Sequence, residues 1–287
     1  MIALKENWVS MSKVALCLSG KIGNIQGKSG FFDSDPRVLI KGHEHYKRHI
    51  IDKNDVDVFI HCWDGELEKE TLELYNPVKS VFEEQIYFNI PDYVKGESAR
   101  KNNHYSRWYS NKMVNEYRKQ HEDENNFKYD YVMTTRFDLA FETDIVFDNF
   151  DNQYFYSGKW STVLDQNGND LFKGGRGPLY DLLATNHPIL PHLTRKTKGY
   201  PVNDEGFLDL WFFTNSENSS NFFSLYDYLD EYNKPGNCDT DSSGRISNHR
   251  LVKYHLEKLD LLDKLKFEFH MFDDFPEVRR KYFGCRK

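Results

Sequence analysis

Apolar positions along this chain fall into short dense runs separated by stretches with helical spacing. Lys13–Ser19 (KVALCLS), Asp55–Trp63 (DVDVFIHCW) and Tyr129–Thr135 (YDYVMTT) are rich in apolar residues over lengths too short for an ordinary helix. Such runs read as strands buried on both faces, as in a parallel sheet. Between them, Asp35-Pro36 opens a helix to about Ile50, with Asp35 as the cap and Pro36 at the first helical position. Glu66–Tyr75 is a short helix stopped before Pro77, Val78–Ile90 is a less regular third strand, and Glu97–Glu124 is the longest helical stretch. Asp148–Asp151 reads as a turn, Gln153–Trp160 (QYFYSGKW) as a strand, Leu179–Thr185 as a short helix and Leu210–Thr214 as an apolar run. Ser216–Tyr232 reads as one amphipathic helix with Phe222, Phe223, Leu225, Tyr226 and Leu229 inward, ahead of a break at Pro235-Gly236. Arg245–Leu262 is a further helix and Lys266–Phe272 a last strand. The alternation predicts βαβ units, and hence an α/β chain with a mostly parallel central sheet flanked by helices.

The chain has 287 residues with no internal repeat, low-complexity tract or linker, which predicts a single domain. Within it, about 11–150 and about 151–287 read as two halves of one unit. The hydrophobic fraction is 39% and the aromatic fraction 16%, enough for a real core with rings to spare for stacking on sugars or bases. The net charge of -7, with no long basic run, argues against a nucleic-acid partner. No apolar run approaches a membrane span, and MIALKENWVSMSK lacks a secretory apolar core. The cysteines, Cys17, Cys62, Cys238 and Cys285, form no CxxC pair, and Cys17 and Cys62 sit inside apolar runs as small core residues. A reduced, cytoplasmic setting is expected.

Polar residues gather where the strands stop. Gly20, Gly23, Gly27 and Gly30 follow the first strand, with Lys21 and Lys28 between them. This spacing suits backbone approach to a nucleotide, spells neither GxGxxG nor a P-loop, and is equally that of a plain mobile loop. Asp64 follows the second strand. The third run ends in Arg136-Phe137-Asp138, and alternate residues of an extended segment point the same way. Charge there is either an ion pair closing a strand or the floor of a ligand site at the carboxyl edge of the sheet. In the long helix, Asn103–Ser110 is dense in rings and hydroxyls and reads both as helix packing and as a ligand-facing wall, while Arg107, Lys112, Arg118 and Lys119 supply charge. Residues 161–178, with Arg176, form a candidate lid. Lys196–Asp209 is a second polar loop whose Asp204, Glu205 and Asp209 are base candidates or simply solvated acids. His249, near a helix start, is a late metal-ligand candidate or a structural histidine. Arg279, Arg280 and Lys281 make a basic tail. No Ser/His/Asp order or HExxH motif stands out.

Four segments in this order, VALCLSGKIGN, DVFIHCWDGE, FKYDYVMTTRFDLAFE and GFLDLWFFTNSE, resemble GT-A-like glycosyltransferases of large viruses, phages and bacteria. The resemblance covers most of the chain and is most specific at HCWD and YDYVMTTRFDL. It implies a Rossmann-like nucleotide-sugar-binding half followed by an acceptor half, with a UDP- or GDP-sugar donor and a glycan or glycoprotein acceptor. Ser19, Gly20, Lys21, Asp64, Lys112, Arg136 and Asp138 would bind the donor. Asp138 would lie by the diphosphate and any Mn2+ or Mg2+, to which the residue pattern adds His249 as a metal-ligand candidate and Asp204, Glu205 and Asp209 as candidates for the acceptor's base; the setting would be the cytoplasm, the host's if the chain is viral. The chain departs from the family pattern at one position: Arg136 stands where the first acid of DxD is expected. The rivals are a sugar nucleotidyltransferase and a non-catalytic glycan-binding protein.

Overall fold

A computed structural model describes residues 11–26, 33–159, 208–238, 246–271 and 274–284. The first strands form where the apolar runs predict: β1 Lys13–Gly20, β2 Asp55–Cys62 and β4 Tyr131–Thr135. β1 lies between the other two, parallel to both, with Leu16 opposite Val58 on one side and Met133 on the other. Its alternate residues serve opposite faces. Val14, Leu16 and Leu18 pack with Val38, Leu39 and Tyr46 of helix α1 (Pro36–His49), whereas Ala15 and Cys17 pack with Val114 and Tyr117 of helix α3 (Ser98–Asn125). Helices therefore cover both sheet faces, which is why the strand sequences are apolar throughout rather than alternating. Burial pushes the Cys17 thiol up to about 12, as expected of a core residue.

The sheet has seven strands in the order β3-β2-β1-β4-β6-β5-β7, with β3 Lys79–Phe82, β5 Phe155–Lys159, β6 Trp211–Thr214 and β7 Leu265–His270. Strands from both halves of the sequence thus share one sheet in a single domain. β6 is the exception to the parallel expectation, because it runs antiparallel to both β4 and β5. A second cluster beyond β6 joins Trp108 of α3 to Phe212, Phe222, Leu225, Leu251 and Leu256.

Three elements differ from the sequence expectation. The third strand stops at Phe82, because its partner β2 ends at Cys62 and the residues beyond have no neighbouring strand to pair with. The helix expected over Ser216–Tyr232 is broken into α4 (Ser216–Phe222), a tighter 3-10 turn (Phe223–Tyr228) and α5 (Leu229–Tyr232). Phe222 and Leu225 are both buried at a spacing of three, the repeat of a 3-10 helix. The next helix is shorter than expected: α6 spans Asn248–Lys258, capped by the Ser247 side chain, and left-handed Asp260 (φ 55°) prevents its continuation. α2 (Glu68–Tyr75) and a C-terminal α7 (Val278–Phe283) complete the described helices.

Candidate active site

The strand order reverses at β1. The chain passes from β1 to β2 to β3 in one direction, then β4 enters on the other side of β1. In open α/β sheets the crevice at the carboxyl ends of such a pair is where ligands bind. Ser19 sits at that end, buried, with its hydroxyl donating to Asn111 Oδ1 at 2.6 Å. Gly20 (φ 96°) donates its N–H to Ser110 Oγ at 2.8 Å. Ser110 Oγ is also 2.8 Å from His61 Nδ1, and His61 Nε2 is 2.9 Å from Glu83 Oε1. This serine–histidine–glutamate chain has the order of a nucleophile relay, yet Ser110 and His61 are fully buried and hold the Gly20 backbone instead. Burial lowers the His61 pKa against the pull of Glu83. Further along the loop, Gly23 (φ 102°) turns onto the exit of β4, where a Cβ would stand 3.4 Å from Asp138 Cβ.

The exit of β4 carries the charge. Arg136 donates to Asp138 Oδ2 at 2.5 Å, and the two meet through a turn at Phe137-Asp138 just past the end of β4 rather than along the extended segment expected from sequence. Asp138 is 5% exposed and its Oδ1 is buried without a hydrogen-bond partner. Between them Phe137 points the other way into the core, edge-on to Tyr75. Helix α3 runs past the same edge and supplies Arg107 and Asn111, one turn apart on one face. Arg107 donates to the Asp209 backbone carbonyl, and its Nε is 3.3 Å from Asp209 Oδ2. His249, in the first turn of α6, brings Nδ1 to 3.2 Å from Asp209 Oδ1. His104, one turn before Trp108 on α3, and the Trp108 indole both bond Asn248 Oδ1, which anchors the start of α6 beside α3.

The electrostatics tie these groups together. Burial would lower the Arg136 pKa, but the charges of Asp138, Glu277 and Asp209 reverse this and raise it. Arg107 is lowered by burial and by the neighbouring Arg136, against Asp209 and Asp138. Arg107, Arg136, Asp138 and Asp209 are therefore one charge cluster, with Glu277 at its border. Glu277 is fully buried and held by Arg279 Nη2 at 2.9 Å and Arg280 Nε at 2.6 Å, so these two tail arginines are structural partners of an acid rather than a solvated basic end.

The site residues expected from sequence separate accordingly. Ser19, Gly20, Arg136 and Asp138 meet at the β1–β4 edge, and Asp209 joins them from the residues before β6. Asp64, buried, follows the end of β2, where its charge raises the Cys62 thiol together with burial; Lys21 is exposed just past Gly20. Lys112 pairs with Asp227 at 2.6 Å on the 3-10 turn, away from Arg107 and Asn111 around the helix. His249 binds Asp209 instead of completing a set with Asp138. Asp204, Glu205, Arg176, residues 161–178 and Leu179–Thr185 lie outside the described residues. The Asn103–Ser110 segment divides between both readings: Tyr105 and Trp108 pack in the second core cluster, while half-buried Tyr109 stacks on Trp63 at 5.5 Å. Sequence reasoning counted Arg107 as helix charge and, with the rest of Asn103–Ser110, as part of a possible ligand-facing wall, but gave it no role of its own and passed over Asn111. Their signal was the polar stripe Arg107, Asn111, Asn115, recurring every four residues through an otherwise aromatic face.

A scan against protein-family models finds no match, and a search of curated proteins finds none either. Function is therefore argued from the geometry. A divalent ion at Asp138 is tested by the donor set. One carboxylate oxygen is taken by a guanidinium, only Oδ1 is left, and among the described residues no three His, Cys, Asp or Glu side chains come together as ligands. Hard cations want several oxygen ligands. The described residues do not fit a protein-held Mn2+ or Mg2+.

Proposed function

We propose that this chain is a GT-A-like glycosyltransferase that moves a hexose or pentose from a UDP- or GDP-sugar to a hydroxyl of a glycan or glycoprotein. The observation that carries the reading is Asp138 at the β1–β4 switch point. It is a buried carboxylate with one oxygen lacking a partner, set between a guanidinium and the Gly20–Gly23 turn. A buried acceptor without a partner calls for a group to complete its hydrogen bonding, and at the switch point of the sheet that group is read as a ligand. The cations Arg136 and Arg107 beside it suit a diphosphate, which a guanidinium recognises through paired hydrogen bonds.

In this reading the strand ends of the first half bind the donor, and residues from Asp209 onward face the acceptor. The donor C1–O bond breaks with its electron pair leaving on the nucleoside diphosphate. The acceptor oxygen forms the new bond to C1 and gives its proton to a base across the donor from the diphosphate, for which Asp204 and Glu205 are the candidates. The arginines stabilise the charge that develops on the leaving diphosphate, an electrostatic task performed by groups already in place. Half-buried Tyr109, backed by the buried Trp63, offers a ring for the nucleobase. No helix among the described residues is long and apolar enough to cross a membrane. The donors proposed are cytoplasmic sugar nucleotides, the setting expected from the cysteine pattern.

The test is thermal stabilisation by a panel of nucleoside diphosphates, with and without Mn2+, followed by release of nucleoside diphosphate from the matching sugar nucleotide when a glycan is added. A shift with one nucleotide, and its loss in Arg136→Ala, supports the transferase. The absence of a shift with every nucleotide would sink it, and binding without release would leave a non-catalytic binding protein.

A further inference from the structure

The charges around Asp138 bear on how the diphosphate is neutralised. Asp138 and Asp209 each hold an arginine, Arg136 and Arg107. The third acid, Glu277, is shared by Arg279 and Arg280. Among the described residues, the cluster sets these four guanidinium groups against three carboxylates before His249 is counted, an excess of positive charge. An anion is the ligand it needs. A second polar atom points the same way: Asn111 Nδ2 is a buried donor without a partner, one helical turn from Arg107 and bonded through Oδ1 to Ser19 at the end of β1. Arg107 Nε, also buried, faces only the ion-paired Asp209 Oδ2 at 3.3 Å. The unpartnered Asn111 amide and the guanidinium forks match phosphate oxygens, whereas the unpartnered acceptor of the cluster, Asp138 Oδ1, matches a hydroxyl. A divalent ion on Oδ1 would instead sit across a single carboxylate from the Arg136 guanidinium.

We infer that Arg107 and Arg136, with the Asn111 amide, bind the diphosphate without a divalent cation, and that Asp138 holds Arg136 until the donor arrives and then accepts a hydroxyl of the donor. This rests on the transferase reading but goes beyond it, since it assigns the metal's usual task to two side chains. Arg107 comes from mid-helix and Arg136 from a strand end, so the two approach the phosphates from different walls of the crevice. After burial, the charge of Arg136 also lowers the Arg107 pKa, which fits two cations close to one space. When the diphosphate arrives, Arg136 exchanges one carboxylate oxygen of Asp138 for phosphate oxygens, and that oxygen turns to the ligand.

The experiment is calorimetric titration of the full chain with UDP and with GDP, in EDTA and in excess Mn2+. One nucleotide is expected to bind with the same affinity in both buffers. Arg136→Lys and Arg107→Lys, which keep the charge and lose the fork, are each expected to weaken binding about tenfold or more, the scale of a charge-assisted hydrogen bond. Asp138→Asn is expected to keep the affinity for the diphosphate or raise it, because Arg136 is released; a metal ligand at this position would make it fall. Binding that disappears in EDTA and returns with Mn2+ overturns the inference and leaves the transferase reading standing, a result that needs no variant to fold. Failure of both nucleotides in both buffers overturns the two together. Unchanged affinity in both lysine variants overturns the assignment to these arginines.

Discussion

Gly42 lies in the middle of α1, where the helix crosses the exit of β4 with no room for a side chain. A methyl built there would stand 2.1 Å from the Phe137 carbonyl oxygen, and Cβ atoms essentially never come inside 3.0 Å of a neighbour. The obstructing atom is backbone, so no rotamer change relieves it. Helix and strand exit must move apart by about 1 Å, which falls at the upper end of the ~1–3 kcal/mol typical of overpacking. Against this, alanine gains about 1 kcal/mol over glycine inside a helix. The net expectation for Gly42→Ala is about 2 kcal/mol of lost stability, or a fall in Tm of about 3 °C for a domain of this size. Scanning calorimetry measures it, with Gly65→Ala as the control because nothing lies within 4 Å of a Cβ there. The displacement also reaches the site, since Phe137 stands between Arg136 and Asp138, so nucleotide affinity should fall in Gly42→Ala and hold in the control. A Gly42→Ala protein as stable as the parent, or more stable by the helix-propensity gain, would refute the close contact and with it the claim that α1 fixes the strand exit.

Two further expectations follow from buried charge. Glu122 is fully buried and receives Arg118 at 2.8 Å, Ser216 at 2.9 Å and the Tyr129 N–H at 3.0 Å. Glu122→Leu strands the buried Arg118 charge and should cost about 3–5 kcal/mol in urea unfolding, most of it recovered in the double variant with Arg118→Met; a single-variant loss below about 1 kcal/mol would show the pair to be dispensable. Burial holds the His104 and His255 pKa values down to about 4. With an unfolded value near 6.5, the unfolded chain binds more protons between those limits, so stability is complete above that window and is lost as pH falls through it, by about 2 kcal/mol per histidine at pH 5. Urea midpoints at pH 7 and pH 5 should therefore diverge less in His255→Phe than in the parent, and an undiminished divergence would place that histidine outside the effect.

The parts of the fold legible in sequence are those whose burial is two-sided. β1, β2 and β4 emerge within two residues of their apolar runs because α1 and α3 cover both faces of the sheet. The Asp35 cap and Pro36 locate the start of α1, where the Asp35 side chain accepts from the Arg37 N–H. Direction was not legible. Leu210–Thr214 reads as an apolar run whichever way it lies, and only its pairing with β4 shows β6 to be antiparallel. The single long helix expected over Ser216–Tyr232 failed because an inward stripe of aromatics fits 3-10 and α geometry equally well. At the site, Arg136 and Asp138 were legible because two residues at a strand end are local. Arg107 was not, because its partner Asp209 is 102 positions away, nor was Asn111, whose partner Ser19 is 92 away.

The exit of β4 is held on every side, which bears on what can move when a ligand binds. Tyr46 of α1 donates its hydroxyl to the Arg136 carbonyl. The residues that follow pair with the C-terminal segment: the Val278 N–H donates to the Asp138 carbonyl at 2.9 Å, Ala140 to Pro276 at 2.8 Å, and Glu142 to Asp274 at 2.7 Å. Gly23 closes over Asp138 from the β1 loop. Phe137 is gripped between Tyr75 and the Gly42 backbone. The carboxylate of Asp138 is thus fixed at its backbone from three directions, and its reorganisation is confined to the side chains of Arg136 and Arg107. Long cationic side chains exchanging one set of oxygen partners for another can accommodate a charged ligand with little backbone movement. Groups aimed before the ligand arrives lower the cost of meeting charge that develops during reaction. The same rigidity explains why a helix-core glycine and a strand-end carboxylate, 96 positions apart in sequence by difference of residue number (138 − 42), are expected to report on each other in the binding assay.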